Sequence, residues 1–351
     1  MNNVLLKLAA LGEGICAQLE RGEMPFLDIP SRASSNIVYD EKERKFVLGE
    51  AKARRTVSNM KHLRVFTQTL WIAWIAKRLI EEGKSTTLRD LYYMAESYGL
   101  KFRDQQESDS IVADLEALLG VSREQLRIFP EERATIYGDL TIRYNIPGYE
   151  KTKLNLTASP DGVAIGPALA EAEFCDCGAE KVIMVESGGM FTRLIEEKAH
   201  KKFKALLIHT AGQAPRLARH LAYRIRRELG LPVYVFTDGD PWGAHIAMVI
   251  ISGSANAAHV DNIVIPDAEW IGVLPTDIEE YRLPYEKFNE KDWKRLGELM
   301  ADPRYQSPFW RKQLKKFEEE GKKTEQQALS VHGLSYVTDK YLPEKLDQKA
   351  F

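Results

Sequence analysis

Apolar residues recur at Val4, Leu8, Leu11, Ile15 and Leu19, close to one per helical turn, and Met24-Pro25 closes the stretch. The spacing predicts a short amphipathic helix whose stripe covers its own core or docks a partner protein. Segments 37–39 and 46–48 read as two strands of a hairpin joined by a polar loop. A second helical pattern runs over 67–82 and stops at Gly83, and Ser85, Thr86 and Thr87 offer caps for a third helix beginning at Leu88. Helix, short turn, helix is the opening of a winged-helix domain.

Beyond about Lys151 the pattern changes. Short apolar strands at 182–185, 205–208 and 233–236 alternate with amphipathic helices over 191–202 and 215–229. Such βα alternation predicts a parallel sheet buried on both faces. The expected organisation is therefore an N-terminal helix and hairpin over 1–65, a winged-helix domain over 66–150, and a βα domain with a C-terminal extension over 151–351. From Glu290 onward the chain is rich in Lys, Glu, Arg and Leu, the composition of solvated helices, and no chemistry is assigned there.

Composition adds limits. With 351 residues, 44% hydrophobic and 28% charged, the chain can fill two or three domain cores. Its longest apolar runs, 70–76 and 246–251, fall short of the roughly 20 residues of a membrane helix, and no secretory signal opens the chain, so a soluble, cytoplasmic protein is expected. Three cysteines, two of them at Cys175 and Cys177, do not make a disulfide framework or a four-ligand zinc site. The 49 basic and 51 acidic residues leave a net charge of −2, so any nucleic-acid surface must come from local clustering.

Candidate chemistry sits at two places. Glu186 ends one predicted strand, and Asp238 and Asp240 follow another in Thr237-Asp238-Gly239-Asp240-Pro241-Trp242-Gly243. Open α/β sheets bind ligands at that edge, and side chains two apart in extended chain point the same way, so the three carboxylates are expected to converge as a hard oxygen site. Mg²⁺ suits such a site, because it takes one or two carboxylates plus waters and a substrate phosphate. An isolated Asp-Gly-Asp is more often a turn; its position after a buried strand changes that reading. Gly188 and Gly189 then open a helix whose amides could face a phosphate.

The second place is Thr87-Leu88-Arg89-Asp90-Leu91-Tyr92-Tyr93-Met94, where Thr87 and Asp90 stand at capping-box spacing. Leu88, Leu91, Tyr92 and Ala95 form the core-facing stripe, whereas Arg89, Tyr93 and Glu96 share the polar face. Tyr93 is therefore the exposed nucleophile candidate, and Arg89, one turn away, favours its phenolate and can hold a phosphate oxygen. Attack on a phosphodiester would give a covalent phosphotyrosine and preserve the bond for resealing. A Tyr-Tyr pair that merely packs and hydrogen-bonds is the competing reading of this helix taken alone.

These segments, with Val185-Glu186-Ser187-Gly188-Gly189-Met190-Phe191, Gly212-Gln213-Ala214-Pro215-Arg216 and Tyr341-Leu342-Pro343-Glu344-Lys345, resemble the A-subunit family of topoisomerase VI over most of the chain. That type IIB family includes the eukaryotic transesterase that initiates meiotic recombination. The resemblance implies a winged-helix (CAP-like) domain and a Toprim domain, with Tyr93 as nucleophile, Arg89 assisting, and Glu186, Asp238 and Asp240 at the metal. It also implies a homodimer around duplex DNA, in which one protomer's tyrosine meets the other's metal site and cleavage leaves 5′-phosphotyrosyl links. Gln213, Arg216 and Arg219 fall where the family would touch the cleaved strand, although the arginines also read as the solvated face of an amphipathic helix.

Gly83-Lys84-Ser85 imitates the end of a P-loop, but Arg78 occupies the leading glycine position and a helix precedes it, so no nucleotide site is expected. The resemblance supplies the missing energy source as a B subunit with a GHKL ATPase fold, in an A2B2 heterotetramer that relaxes and decatenates DNA near the nucleoid. The rivals are a transesterase that cuts without strand passage, a Toprim nuclease or primase without a covalent intermediate, and a DNA-binding scaffold with a degenerate site.

Overall fold

The structure, a computed structural model, describes residues 3–130, 134–146 and 148–347. The chain forms two compact units, one of Met1–Asp40, Phe46–Glu131 and Ser254–Asp261, the other of Glu41–Lys45, Glu132–Gly253 and Asn262–Phe351. The division between them lies at 131/132 rather than near 151. The N-terminal helix packs its apolar face on the same core as the next three helices, through Val4 and Leu8.

In the first unit the order is α1 (Asn3–Glu20), β1 (Phe26–Pro30), β2 (Ile37–Asp40), β3 (Lys45–Leu48), β4 (Lys52–Thr56), α2 (Met60–Glu82), β5 (Thr86–Thr87), α3 (Leu88–Ser97), α4 (Gln105–Leu119) and β6 (Ile128–Phe129). Helix α2 starts earlier than its apolar pattern, since Asn59 accepts a hydrogen bond from the Lys61 amide and caps it; Gly83, left-handed at φ 65°, ends it. Trp71, Ile72, Ile75 and Ala76 of α2 meet Leu88, Leu91 and Ala95 of α3 and Ile111, Val112 and Leu115 of α4, and Val4 and Leu8 of α1 join them. Each fully buried leucine here contributes roughly 2 kcal/mol. The short parallel pair β5–β6 sets the residue before α3 against Phe129.

The second unit continues with β7 (Thr135–Tyr137), β8 (Leu140–Arg143), β9 (Lys153–Asn155), β10 (Val163–Ala164), α5 (Pro167–Ala170), β11 (Glu173–Cys177), β12 (Lys181–Val185), α6 (Gly188–Glu196), α7 (Ala199–Lys202), β13 (Ala205–His209), α8 (Arg216–Glu228), β14 (Val233–Phe236), α9 (Pro241–Ser252) and β15 (Glu269–Gly272). After these come α10 (Asp277–Glu280), β16 (Glu286–Lys287), α11 (Glu290–Ala301), α12 (Pro308–Glu320), β17 (Lys322–Lys323) and α13 (Leu342–Asp347). The main sheet has the order β10-β7-β13-β12-β14-β15, in which β13, β12, β14 and β15 run parallel, β7 pairs antiparallel with β13, and β10 pairs antiparallel with β7. The chain passes from β12 to β13 on one side and then to β14 on the other, so β12 and β14 flank a reversal point of the kind that opens a crevice at the carboxyl edge.

The expected helix over 191–202 is two helices, broken at Lys198, whose φ of 54° is left-handed. Helix α9 escapes a periodicity reading, because its residues from Ile246 to Ser252 are all buried and leave no polar face to give a period. Cys175 lies on β11 of a small antiparallel sheet, β11-β8-β9, and the cysteines are free thiols. No helix among the described residues is long and apolar enough to cross a membrane.

Candidate active site

Helix α3 is built as its sequence requires. The Asp90 amide donates to Thr87 Oγ1 at 2.9 Å and the Thr87 amide donates to Asp90 Oδ2 at 3.4 Å, completing the capping box. With the helix start fixed, Leu88, Leu91 and Ala95 are buried, Tyr92 is half-buried against their cluster, and Tyr93 is 56% exposed. Arg89 is exposed on the same side of the helix. The Tyr92 and Tyr93 rings meet edge to face at 5.3 Å between ring centres.

The carboxyl edge of the sheet is differently made. Glu186 follows β12 and its Oε2 accepts a hydrogen bond from the Asp238 amide at 3.0 Å, tying the ends of β12 and β14 together. Asp238 Oδ1 accepts from the Gln326 amide at 2.8 Å. Asp240 Oδ1 accepts from the Gly243 amide at 2.6 Å and caps α9. Gly243 can only be glycine there, since a Cβ would lie 2.0 Å from the Asp238 carbonyl oxygen.

Burial and like charge both act on this edge. Burial first, then the Asp238 charge, pushes the Glu186 carboxyl up to about 7. Burial chiefly, with the Asp240 charge adding to it, pushes Asp238 up to about 6. Asp240 is also raised, by burial above all and by neighbouring Asp292, whose partner Lys323 at 2.9 Å offsets part of that field. The three carboxylates therefore repel one another at one edge, but they do not converge into a finished cage. Among the described residues no three His, Cys, Asp or Glu side chains are set to hold an ion. The reason is that one oxygen of each is engaged by a backbone amide, the Asp240 oxygen by its own helix.

Several residues at this edge carry no sequence signal. Gln326 is fully buried: its side chain accepts from the Ser187 amide at 2.9 Å and donates to the Phe236 carbonyl at 2.9 Å, bridging the same two strand ends as Glu186. Gln327 donates to Ser187 Oγ at 2.7 Å, and Gly239 and Thr324 exchange backbone hydrogen bonds. The stretch beyond Glu290, read from its composition as solvated helices without chemistry, thus closes over the carboxylates. His209, at the end of β13, is hydrogen-bonded to the Glu186 backbone and stacks on Phe191 at 5.5 Å between ring centres; burial pushes its pKa down. Gly188 and Gly189 begin α6, capped by Ser187.

The remaining candidates lie in and before α8. Gln213 is exposed and Arg216 half-buried, whereas Arg219 is only 5% exposed. The buried arc of α8, from Leu217 to Ile225, is wide enough to take in position 219, so the two arginines do not form the shared solvent-facing pair that their spacing suggests. The Tyr341–Lys345 motif is an anchor: Lys345 Nζ and the Tyr341 hydroxyl each donate to a buried Asp277 oxygen at 2.6 Å.

Comparison with known proteins accounts for both places at once. Residues 181–346 match the family described as the Toprim domain of the topoisomerase 6 A-subunit and Spo11, and residues 64–128 match the family described as Type IIB DNA topoisomerase. A protein of Methanothermobacter thermautotrophicus, named as the A-subunit of type 2 DNA topoisomerase 6, is 46% identical over 97% of this chain and 96% of its own length. The chain belongs to the A-subunit family of topoisomerase 6. Relatives of the same name in Archaeoglobus fulgidus and Pyrococcus abyssi are each 38% identical over 98% of this chain, covering 97% and 94% of their own lengths. The Toprim match extends through Gln326 to the Tyr341–Lys345 anchor, so in this topoisomerase family member the C-terminal stretch is part of the domain rather than an appendage.

Proposed function

We propose that this chain is the DNA-cleaving subunit of a type IIB topoisomerase and that Tyr93 is its nucleophile. What carries this reading is that both halves of the chemistry lie inside the matched regions, Tyr93 within 64–128 and Glu186, Asp238 and Asp240 within 181–346. The Tyr93 oxygen bonds to a backbone phosphorus, the bond from phosphorus to the 3′ oxygen breaks, and that oxygen leaves with a proton. The chain is then joined to the 5′ phosphate, and the reverse attack by the 3′ hydroxyl reseals the strand. Arg89, one turn from Tyr93, holds a phosphate oxygen.

Glu186 and Asp238 each keep one carboxylate oxygen outside the bonds that fix them, and their mutual repulsion favours a cation between them. That donor set fits Mg²⁺, with Asp240 completing the field; when bound, the ion supplies electrostatic stabilisation of the phosphate. Glu186, titrating near neutrality, is also suited to move a proton. Gln213 and Arg216 carry the contact with the cleaved strand, and the N-terminal unit, with helices α2, α3 and α4 beside the β5–β6 pair, acts as a winged-helix domain on duplex DNA. Two copies cut the two strands, each tyrosine working with its partner's carboxylates, and a B subunit provides ATP hydrolysis in an A2B2 assembly. The relatives' names favour strand passage over break formation alone.

The test is trapping. The chain, a B subunit, labelled duplex, Mg²⁺ and a non-hydrolysable ATP analogue are mixed and then denatured. Protein-linked DNA forms with the wild type and is absent with Tyr93→Phe; linkage by the variant, or cutting without linkage, overturns the proposal.

A further inference from the structure

A cavity of about 620 Å³ opens at the amino-terminal edge of the main sheet, lined by Tyr137, Asp139, Lys198, His200, Lys201 and Lys204 among others. It lies the length of β12 away from the carboxylates, roughly 16 Å. Of its acidic groups, Glu196 pairs with Arg193 at 3.2 Å, and Asp139 accepts from the neutral Asn155 amide at 3.0 Å. Lys204 is matched by Glu180 at 2.6 Å. Lys198 and Lys201, by contrast, have no hydrogen-bond or ion-pair partner for their side chains among the described residues. Lys198 also holds a left-handed backbone, φ 54°, that costs a side-chain-bearing residue roughly 1 kcal/mol and glycine nothing. At the cavity wall His200 is 8% exposed, held edge-on by Tyr137 at 4.8 Å, and its Nδ1 has no hydrogen-bond partner among the described residues.

Two unmatched ammonium groups on the wall of one cavity, with Lys204 beside them, form a site for a compact anion. We propose that this cavity binds a phosphate group through Lys198 and Lys201, separately from the carboxylate edge. The phosphate belongs to the DNA backbone or to a free phosphate compound. The DNA source rests on the function proposed above; the phosphate chemistry does not.

The experiment compares the full chain with its Lys198→Gly/Lys201→Ala variant, in which glycine suits the left-handed position. Inorganic phosphate is titrated into each by calorimetry, and duplex DNA affinity is measured across a salt series. Phosphate affinity falls at least tenfold in the variant, while Lys204→Met, whose charge is already matched, changes it less than threefold. If the salt slope for DNA also drops by about one, the counterion release of one phosphate contact, the source is the DNA backbone. An unchanged slope with lost phosphate binding assigns the site to a free phosphate compound. Phosphate binding that is absent in the wild type, or equal in both proteins, overturns the proposal. Should the wild type bind phosphate but not duplex DNA, the proposed function fails and the cavity stands.

Discussion

The two places that carry the proposed chemistry are built on opposite plans. Tyr93 is held by little beyond its own helix: a capping box fixes where α3 starts, a buried stripe fixes its rotation, and the ring itself stands in solvent. The carboxylates are held by a dense network in which Glu186, Asp238, Gly239, Thr324 and Gln326 bond across strands and across the C-terminal segment. As the proposed nucleophile, Tyr93 can be spare, because a bound phosphate would supply its geometry. Like charges forced together need scaffolding, because each buried carboxylate raises the energy of the next.

The contrast predicts unequal sensitivity to substitution, and Gly243→Ala should lie at the extreme. Its Cβ would meet the Asp238 carbonyl at 2.0 Å, so α9 loses its cap or β14 shifts, at about 4 kcal/mol in urea unfolding. A loss below about 1 kcal/mol would mean that the carboxyl edge is softer than its bonding suggests. Next is Gln326→Leu, which removes the bridge between Ser187 and Phe236 and leaves a buried amide and carbonyl without partners, at roughly 3 kcal/mol. Adduct formation falls with it even though Gln326 touches no DNA in this account.

A third prediction uses pH. Because Glu186 and Asp238 are raised to about 7 and about 6, the folded state favours their protonated forms. Their contribution to stability is full below the ordinary carboxylate range and is lost as pH rises through 6 and 7. At the proposed site Mg²⁺ would bind the ionised pair, so it should stabilise the fold most at pH 8 and hardly below pH 6, by about 2.7 kcal/mol at a hundredfold excess over Kd. A Mg²⁺ effect independent of pH, or kept in Glu186→Gln/Asp238→Asn, would remove the cation from this edge. On the nucleophile side the effects are smaller: Thr87→Ala, by loosening the start of α3, costs about 1 kcal/mol in the same unfolding assay.

The same contrast explains what can be read from sequence. The exposure of Tyr93 is legible because a 3.6-residue period separates it from Tyr92, and the capping pair lies within four residues. The strand ends are legible because βα alternation names its own carboxyl edge. Gln326 is not, since its bonds to Asp238 and Ser187 span 88 and 139 residues and no local pattern encodes them. Two-residue spacing overstates the convergence of the three carboxylates: Asp240 turns instead to cap α9, a helix hidden by its uniform burial. Arg219 is misplaced by its spacing for a related reason, because spacing gives a face but not the width of the buried arc.

The central claim is that an exposed tyrosine, rather than its half-buried neighbour, becomes bonded to DNA. It is tested most directly by digesting trapped adducts with nuclease and trypsin and locating the retained nucleotide phosphate by tandem mass spectrometry. The account predicts the modification on peptide 90–101, with fragment ions assigning it to Tyr93. A nucleotide on Tyr92, on Tyr98 or on another peptide would contradict it.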